Sequence, residues 1–247
     1  MSNLWAIGDC HGCHKELMLL WDKLLKNGLD PQNDVVVWLG DYIDRGKDGK
    51  KVVQQLIDWH KQYPQFVFLY GNHEDIFRDW LQDTQRYGIS NWFGNGGKVT
   101  YESYGGHFGK QTFKNGKETW EAPKTAKFPK KHLDFLFKET VYMYETDKYV
   151  FLHGGLYPKM SIEENKNYPD NLIWARENFI DSDYDWGKKV IFGHTPAYRE
   201  RWGKMGYPIV MPNKIGIDCC VCPSGCMRLC AVELPTEKFY YQEYIDS

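Results

Sequence analysis

The apolar positions of this chain switch between two rhythms along its first 86 residues. Leu4 to Ile7 is a short apolar run that stops at Gly8 and reads as a strand. Leu17, Leu20, Trp21 and Leu24 then follow the i, i+3, i+4, i+7 spacing of a helix, which Asn27-Gly28 closes. Val35 to Leu39 is continuously apolar, as a strand buried on both faces must be. A second helix is expected from about Asp48 to His60, with Val52, Val53, Leu56 and Ile57 inward and Pro64 beyond its end. Phe66 to Tyr70 reads as a third strand. The series is βαβαβ, which predicts an α/β fold with ligands at the C-terminal ends of the strands.

From 87 to 130 the periodicity fades into glycine, asparagine, lysine and aromatic residues, including Gly94-Asn95-Gly96-Gly97 and Tyr104-Gly105-Gly106. This stretch reads as an insertion that covers or flanks the site. Strands are expected again from Val141 onward, at Tyr149 to Leu152, Lys189 to Phe192, Ile209 to Met211, Met227 to Val232 and Phe239 to Tyr244. With no repeat or linker, one domain over residues 1–247 is expected, a length that suits a single large core. The 31 basic residues nearly balance 33 acidic ones, which argues against a duplex nucleic-acid or membrane-surface binder. No apolar run approaches the roughly 20 residues of a membrane-spanning helix. Met1-Ser2-Asn3-Leu4-Trp5 lacks signal-peptide character, so a cytoplasmic location with reduced cysteines is expected.

Five short motifs follow apolar runs in order: Gly8-Asp9-Cys10-His11-Gly12, Gly40-Asp41-Tyr42-Ile43-Asp44-Arg45-Gly46, Gly71-Asn72-His73-Glu74, His153-Gly154-Gly155 and Gly193-His194-Thr195. Alone, each is an ordinary turn or cap. Together they place Asp9, Asp41 and Asn72 after three successive strands and two histidines after later ones. Asp9 and His11, two apart in an extended segment, are expected to point the same way and grip one ion. Asp41 carries two oxygens and can bridge two cations. With His153, His194 and Asn72 the inventory is mixed oxygen and nitrogen without thiolate, which suits Mn²⁺, Fe or Zn²⁺. Arg45 can fork two hydrogen bonds onto phosphate oxygens. His73 is positioned to protonate a leaving oxygen, with Asp44 orienting it and keeping it cationic. Arg176 is a candidate second clamp.

These residues resemble the phosphoprotein-phosphatase branch of the calcineurin-like metallophosphoesterases, in order from Gly8 to Thr195. The resemblance implies a central β-sandwich flanked by helices and two divalent ions, most simply Mn²⁺. It implies a first ion held by Asp9, His11 and Asp41, and a second by Asp41, Asn72, His153 and His194. It also implies Arg45 and Arg176 as phosphate clamps, Asn72 beside the substrate, and His73 with Asp44 as the acid pair. Arg176 lies 23 residues past His153, the interval of phage-lambda-type protein phosphatases. The compact length resembles the bacterial and phage enzymes, so no regulatory subunit is expected. One departure stands out: after Gly216-Ile217-Asp218 such relatives tend to continue Thr-Gly, where this chain has Cys219-Cys220.

The implied reaction is in-line hydrolysis of a phosphomonoester by a hydroxide held between the two ions, with no phospho-enzyme. Phosphoserine, phosphothreonine and phosphotyrosine proteins, or a small phosphoester, are the expected substrates. Symmetrical cleavage of diadenosine tetraphosphate is the rival activity, although His153-Gly154-Gly155 leans toward the protein phosphatases. A metal-containing binding module without turnover is the alternative of another class; intact His73, Asp44 and Arg45 argue against it. Five of the seven cysteines crowd into residues 219–230. They read as reduced thiols rather than a zinc knot, because two clean Cys-x-x-Cys pairs are missing. Cys10, which forms a Cys-x-x-Cys with Cys13, is expected to point away from Asp9 and His11.

Overall fold

The apolar runs pair edge to edge into two sheets. The computed structural model describes residues 3–107, 111–114, 117–120, 125–225 and 228–245. Leu4–Ile7 (β1), Val35–Trp38 (β2) and Val67–Phe68 (β3) run parallel, connected through the helices His14–Lys26 (α1) and Gly49–Gln62 (α2). Asn72–Gln82 (α3) leaves the end of that series. Ile89–Trp92 (α4), a π-helical turn Phe93–Gly97 and Lys98–Ser103 (α5) follow, then a hairpin of Gln111–Lys114 (β4) and Lys117–Trp120 (β5). The remaining strands are Met143–Glu145 (β6), Tyr149–Leu152 (β7), Lys189–Phe192 (β8), Ile209–Met211 (β9), Lys214–Gly216 (β10), Arg228–Leu234 (β11) and Lys238–Glu243 (β12). One sheet has the order β12-β11-β1-β2-β3 and the other β6-β7-β8-β10-β9.

Alternation along each strand explains the layers. Ala6 and Val37 face inward with Phe151, Ile191, Ile215 and Val232 to form the core of the sandwich. Their neighbours Trp5, Ile7, Val36 and Trp38 face outward beneath α1 and α2, against Leu17, Leu20, Trp21, Val52 and Leu56. On the far side Val150, Leu152, Val190 and Phe192 are covered by Phe179, Ile180 and Trp186. The central strands are therefore buried on both faces, which is why they read as unbroken apolar runs.

The third strand is shorter than its apolar run. After Phe68, Leu69 makes a lone parallel bridge to Val141 and the chain turns into α3. The strand expected from Met227 begins at Arg228 and runs to Leu234; Met227 lies outside the described residues. The three-residue β10 was not expected, because Lys214 opens it; its buried ammonium donates to the carbonyls of Phe179, Ile180 and Ser182. Among the described residues, no helix is long and apolar enough to cross a membrane.

Candidate active site

Every expected ligand lies just past the C-terminal end of a parallel strand. Asp9 and His11 follow β1, Asp41 follows β2, and Asn72 opens α3 after β3. From the other sheet, His153 follows β7 and His194 follows β8. All six side chains are buried. The turns that bring them together are strained: His11, Asp41, Asp44, Arg45 and His194 have φ of 41°, 52°, 70°, 65° and 63°. Left-handed non-glycine residues are uncommon, and such strain concentrates at functional sites.

Asp41 stands at the centre. One group of atoms able to hold a metal ion comprises His11, Asp41 and His73; the second comprises Asp41, His153 and His194, each set within 4.8 Å. The Nε2 of His153 faces Asn72 Oδ1 at 2.9 Å and Asp41 Oδ1 at 3.2 Å, while its Nδ1 is committed to the carbonyl of Leu39 at 2.7 Å. A ring donating from Nδ1 presents a lone pair at Nε2, so three acceptors converge there, an arrangement a cation satisfies. Within these six side chains two further buried atoms, Asp9 Oδ1 and His194 Nε2, have no hydrogen-bond partner. Such orphans are rare unless an ion or water completes them. Gly193 makes room for the first: a Cβ there would stand 2.2 Å from Asp9 Oδ1. The residues thus fit a pair of bound cations.

The electrostatics agree. Burial, then Asp218 and Asp41, pushes the Asp9 carboxyl well up, and burial likewise raises Asp218. Burial lowers His11, helped by Arg45, and lowers His194, helped by His153 and Arg176. Against its own burial, Asp41 is held well down by His153, His73 and His11. Crowded carboxylates and neutral imidazoles are the state in which divalent cations bind best.

Two expectations need correction. Asp9 and His11 do not share one extended segment: His11 is left-handed, and its Nδ1 donates to Ile43 O at 3.1 Å. Asp9 instead turns toward β8, where its Oδ2 accepts from the His194 amide at 2.8 Å. The left-handed turn at His11, not strand alternation, therefore sets where its ring lies. Nor is His73 placed as a cation. Its Nδ1 lies 2.8 Å from Asp44 Oδ2, as expected, but Arg45 donates to its Nε2 at 3.1 Å and to His11 Nε2 at 2.8 Å. A guanidinium only donates, so both Nε2 atoms accept here.

Several supporting residues carried no role in the sequence reading. Glu74, within the third motif, accepts from the amides of Asp41, Tyr42 and Gly71 and so fixes the Asp41 turn. Trp92 Nε1 and Thr100 Oγ1 donate to Asp44, and Gly96 O accepts from the Arg45 amide. All three lie in the aromatic-rich stretch, whose fading periodicity gave no sign of them. Asp218 lies within electrostatic reach of Arg45 and helps hold its guanidinium charged. Arg176 donates to His194 O at 3.2 Å and Thr195 Oγ1 at 3.1 Å, beside the second ligand group. Among the described residues, no cysteine belongs to a group able to hold a metal ion, and Cys10 points into the apolar core, away from Asp9 and His11. A cleft of about 530 Å³ at the opposite end of β7 and β8, lined by Asp147, Asp183 and Lys188, gathers none of these groups.

Serine/threonine-protein phosphatase 2 of Salmonella typhimurium is 29% identical over 185 residues, 73% of this chain and 71% of that protein. Serine/threonine-protein phosphatase 1 of the same organism is 27% identical over 210 residues, 80% of each chain. A crystal structure of a putative diadenosine tetraphosphatase shares the fold, with a TM-score of 0.66 and 16% identity over 100% of this chain and 95% of that one. The model of the calcineurin-like phosphoesterase family matches residues 2–222, and with the shared Asp41 at the centre of two ligand groups, the chain belongs to that family of metal-dependent hydrolases.

Proposed function

We propose that this protein is a metal-dependent phosphoprotein phosphatase that hydrolyses phosphomonoesters of serine and threonine, and of tyrosine. The observation that carries the reading is the pair of ligand groups sharing Asp41, with Arg45 reaching across one of them. Similarity to two bacterial serine/threonine phosphatases over most of the chain supports the substrate class. In this reading Asp9, His11 and Asp41 hold one ion, and Asp41, Asn72, His153 and His194 the other. The mixed donor set suits Mn²⁺, Fe or Zn²⁺, and Mn²⁺ is taken as the first choice. When bound, such ions supply Lewis acidity and a nucleophilic water near neutral pH.

The chain's own groups do the rest. The Arg45 fork exchanges its two imidazole acceptors for two phosphate oxygens, which are stronger, charged acceptors. That movement frees His73 Nε2 to carry a proton and deliver it to the departing alkoxide. Asp44 holds Nδ1 and stabilises the imidazolium while it exists. Arg176 offers a second set of donors from the His194 side, and Asn72 lines the substrate position. We read residues 1–247 as a single domain in which 87–130 is an insertion. A cytoplasmic setting fits the reduced thiols of Cys10, Cys13, Cys219, Cys222 and Cys230.

The test is Mn²⁺-supported turnover of p-nitrophenyl phosphate, a phosphoserine peptide, a phosphotyrosine peptide and diadenosine tetraphosphate, with Asp41→Asn as the blank. Peptide turnover well above dinucleotide turnover is expected. Preferred cleavage of the dinucleotide would replace this reading with a nucleotide hydrolase. Silence on all four with metal bound would leave a binding role.

A further inference from the structure

The cysteine-rich segment after β10 stands at the rim of the site, and hydrolysis makes no use of it. Past Gly216 the chain passes Asp218, whose buried carboxylate faces Arg45, and enters Cys219-Cys220-Val221-Cys222. Asp218 Oδ1 accepts from the Cys220 amide at 2.9 Å, so the turn that aims Cys220 is tied to the residue facing Arg45. Cys220 is left-handed, with φ of 63°. That turn, with Gly225 opposite, brings two sulfurs to one point. A Cβ built on Gly225 would stand 2.5 Å from Cys220 Sγ and 2.9 Å from Cys222 Sγ. Cys222 is buried and Cys220 is half-buried, so only the second faces solvent.

The two sulfurs differ in surroundings from the other thiols. Cys222 Sγ is hydrogen-bonded with Cys220 and with the hydroxyl and backbone of Ser224, and Arg45 adds a positive charge nearby. Together they outweigh burial and bring the Cys222 thiol down to about 6. Burial pushes Cys10 and Cys13 up, and hydrogen bonding to Cys230 pushes Cys219 up. An electropositive, donor-rich setting favours the thiolate, the nucleophilic form of cysteine, whereas a thiol whose ionisation is pushed up stays protonated and inert.

We propose that Cys222 and Cys220 form an oxidation site for hydroperoxides at the edge of the active centre, Cys222 attacking and Cys220 resolving. The Cys222 thiolate attacks one peroxide oxygen: an S–O bond forms, the O–O bond breaks, and the other oxygen leaves as hydroxide, which takes a proton from water. The Cys220 sulfur then attacks the sulfenic acid. An S–S bond forms, the S–O bond breaks, and the Cys220 proton leaves with the oxygen as water. The sulfur pair loses two electrons and the peroxide gains them. Two consequences reach Arg45: the negative charge beside its guanidinium is lost, and closing Cys220 onto Cys222 redraws the turn that holds Asp218. Thiol loss stands independently of the substrate assignment; the effect on activity rests on Arg45 as the phosphate clamp.

The test treats the metal-loaded full chain with hydrogen peroxide and maps thiols by peptide mass spectrometry alongside p-nitrophenyl phosphate turnover. Wild type is expected to lose two hydrogens in a Cys220–Cys222 link. Turnover should fall roughly tenfold, about the worth of one charge-assisted hydrogen bond, and return with dithiothreitol. Cys220→Ser should stop at a Cys222 sulfenic acid that dimedone traps, and Cys222→Ser should form neither product. A link from Cys222 to another cysteine, or equal peroxide sensitivity in Cys222→Ser, would overturn the assignment. Timed iodoacetamide labelling of wild type gives a check free of any folding defect in the variants. Cys222 should label first, and faster labelling of Cys10, Cys13 or Cys219 would also sink the proposal.

Discussion

At the scale of single residues, the acid pair depends on how completely Asp44 is held. Its carboxylate meets His73 Nδ1 at 2.8 Å, Thr100 Oγ1 at 2.7 Å and Trp92 Nε1 at 3.1 Å, with no exposure to solvent. Trp92→Phe keeps the ring and removes one donor. It should destabilise the fold by about 1–2 kcal/mol, the price of an under-satisfied buried carboxylate. It should also lower kcat roughly tenfold with KM unchanged, because the imidazolium is stabilised only as the proton is transferred. A lower melting temperature with normal kcat would make Trp92 merely structural. The gathering of the candidate ligands was legible because each ends an apolar run, at the sheet edge where ligands of α/β folds bind. Trp92 and Thr100 were not legible: they reach Asp44 from 48 and 56 residues away, through hydrogen bonds that leave no period in the sequence. The turn at His11 was not legible for a related reason, since a positive φ of 41° cannot be inferred from the spacing of Asp9 and His11.

At the scale of elements, the helical stretch after α3 acts as a brace for the Arg45 turn. Gly96 has φ of 96°, and a Cβ there would stand 2.8 Å from the Arg45 amide nitrogen, whose hydrogen bond its own carbonyl accepts. Gly96→Ala should therefore cost about 1–3 kcal/mol in a denaturant melt. It should also raise KM for p-nitrophenyl phosphate several-fold, roughly the loss of one well-placed clamp contact; an unchanged KM would detach the brace from Arg45. A second element supplies an acid-sensitive group away from the site. His132, in the short helix Lys130–Asp134, is buried between Tyr104 OH at 2.8 Å and Gln54 Oε1 at 3.2 Å. Burial, with Lys131 and Lys50, lowers it to about 4. The unfolded chain binds its proton near pH 6.5, so between 6.5 and about 4 the unfolded state holds more protons and stability falls as pH falls. The loss should approach about 3 kcal/mol at the acid end, and His132→Gln should flatten that slope. The strands were legible here from their apolar runs. β10 was missed because its first residue is a lysine, whose buried ammonium is satisfied by carbonyls from a distant turn.

At the scale of the whole molecule, the site is a seam. Asp9, Asp41 and Asn72 hang from one sheet, His153 and His194 from the other, and the apolar core between the sheets ends where these polar groups meet. In the seam, burial with Asp218 and Asp41 raises the Asp9 carboxyl, burial lowers His194, and Asp9 Oδ1 and His194 Nε2 have no hydrogen-bond partner. In the proposed reading, cations held there would complete both atoms and tie the sheets together, so metal affinity would become folding free energy. Chelation should lower the melting temperature of the entire chain in one cooperative step, not melt a local loop. Restoring Mn²⁺ to about a hundredfold over its dissociation constant should return about 2.7 kcal/mol, or roughly 5–10 °C for a chain of this length. Asp41→Asn should lose most of that shift, since both groups share its carboxylate. Wild type melting at the same temperature with and without Mn²⁺ would mean the seam closes by itself, and the ligand assignment would have to be abandoned along with the proposed chemistry.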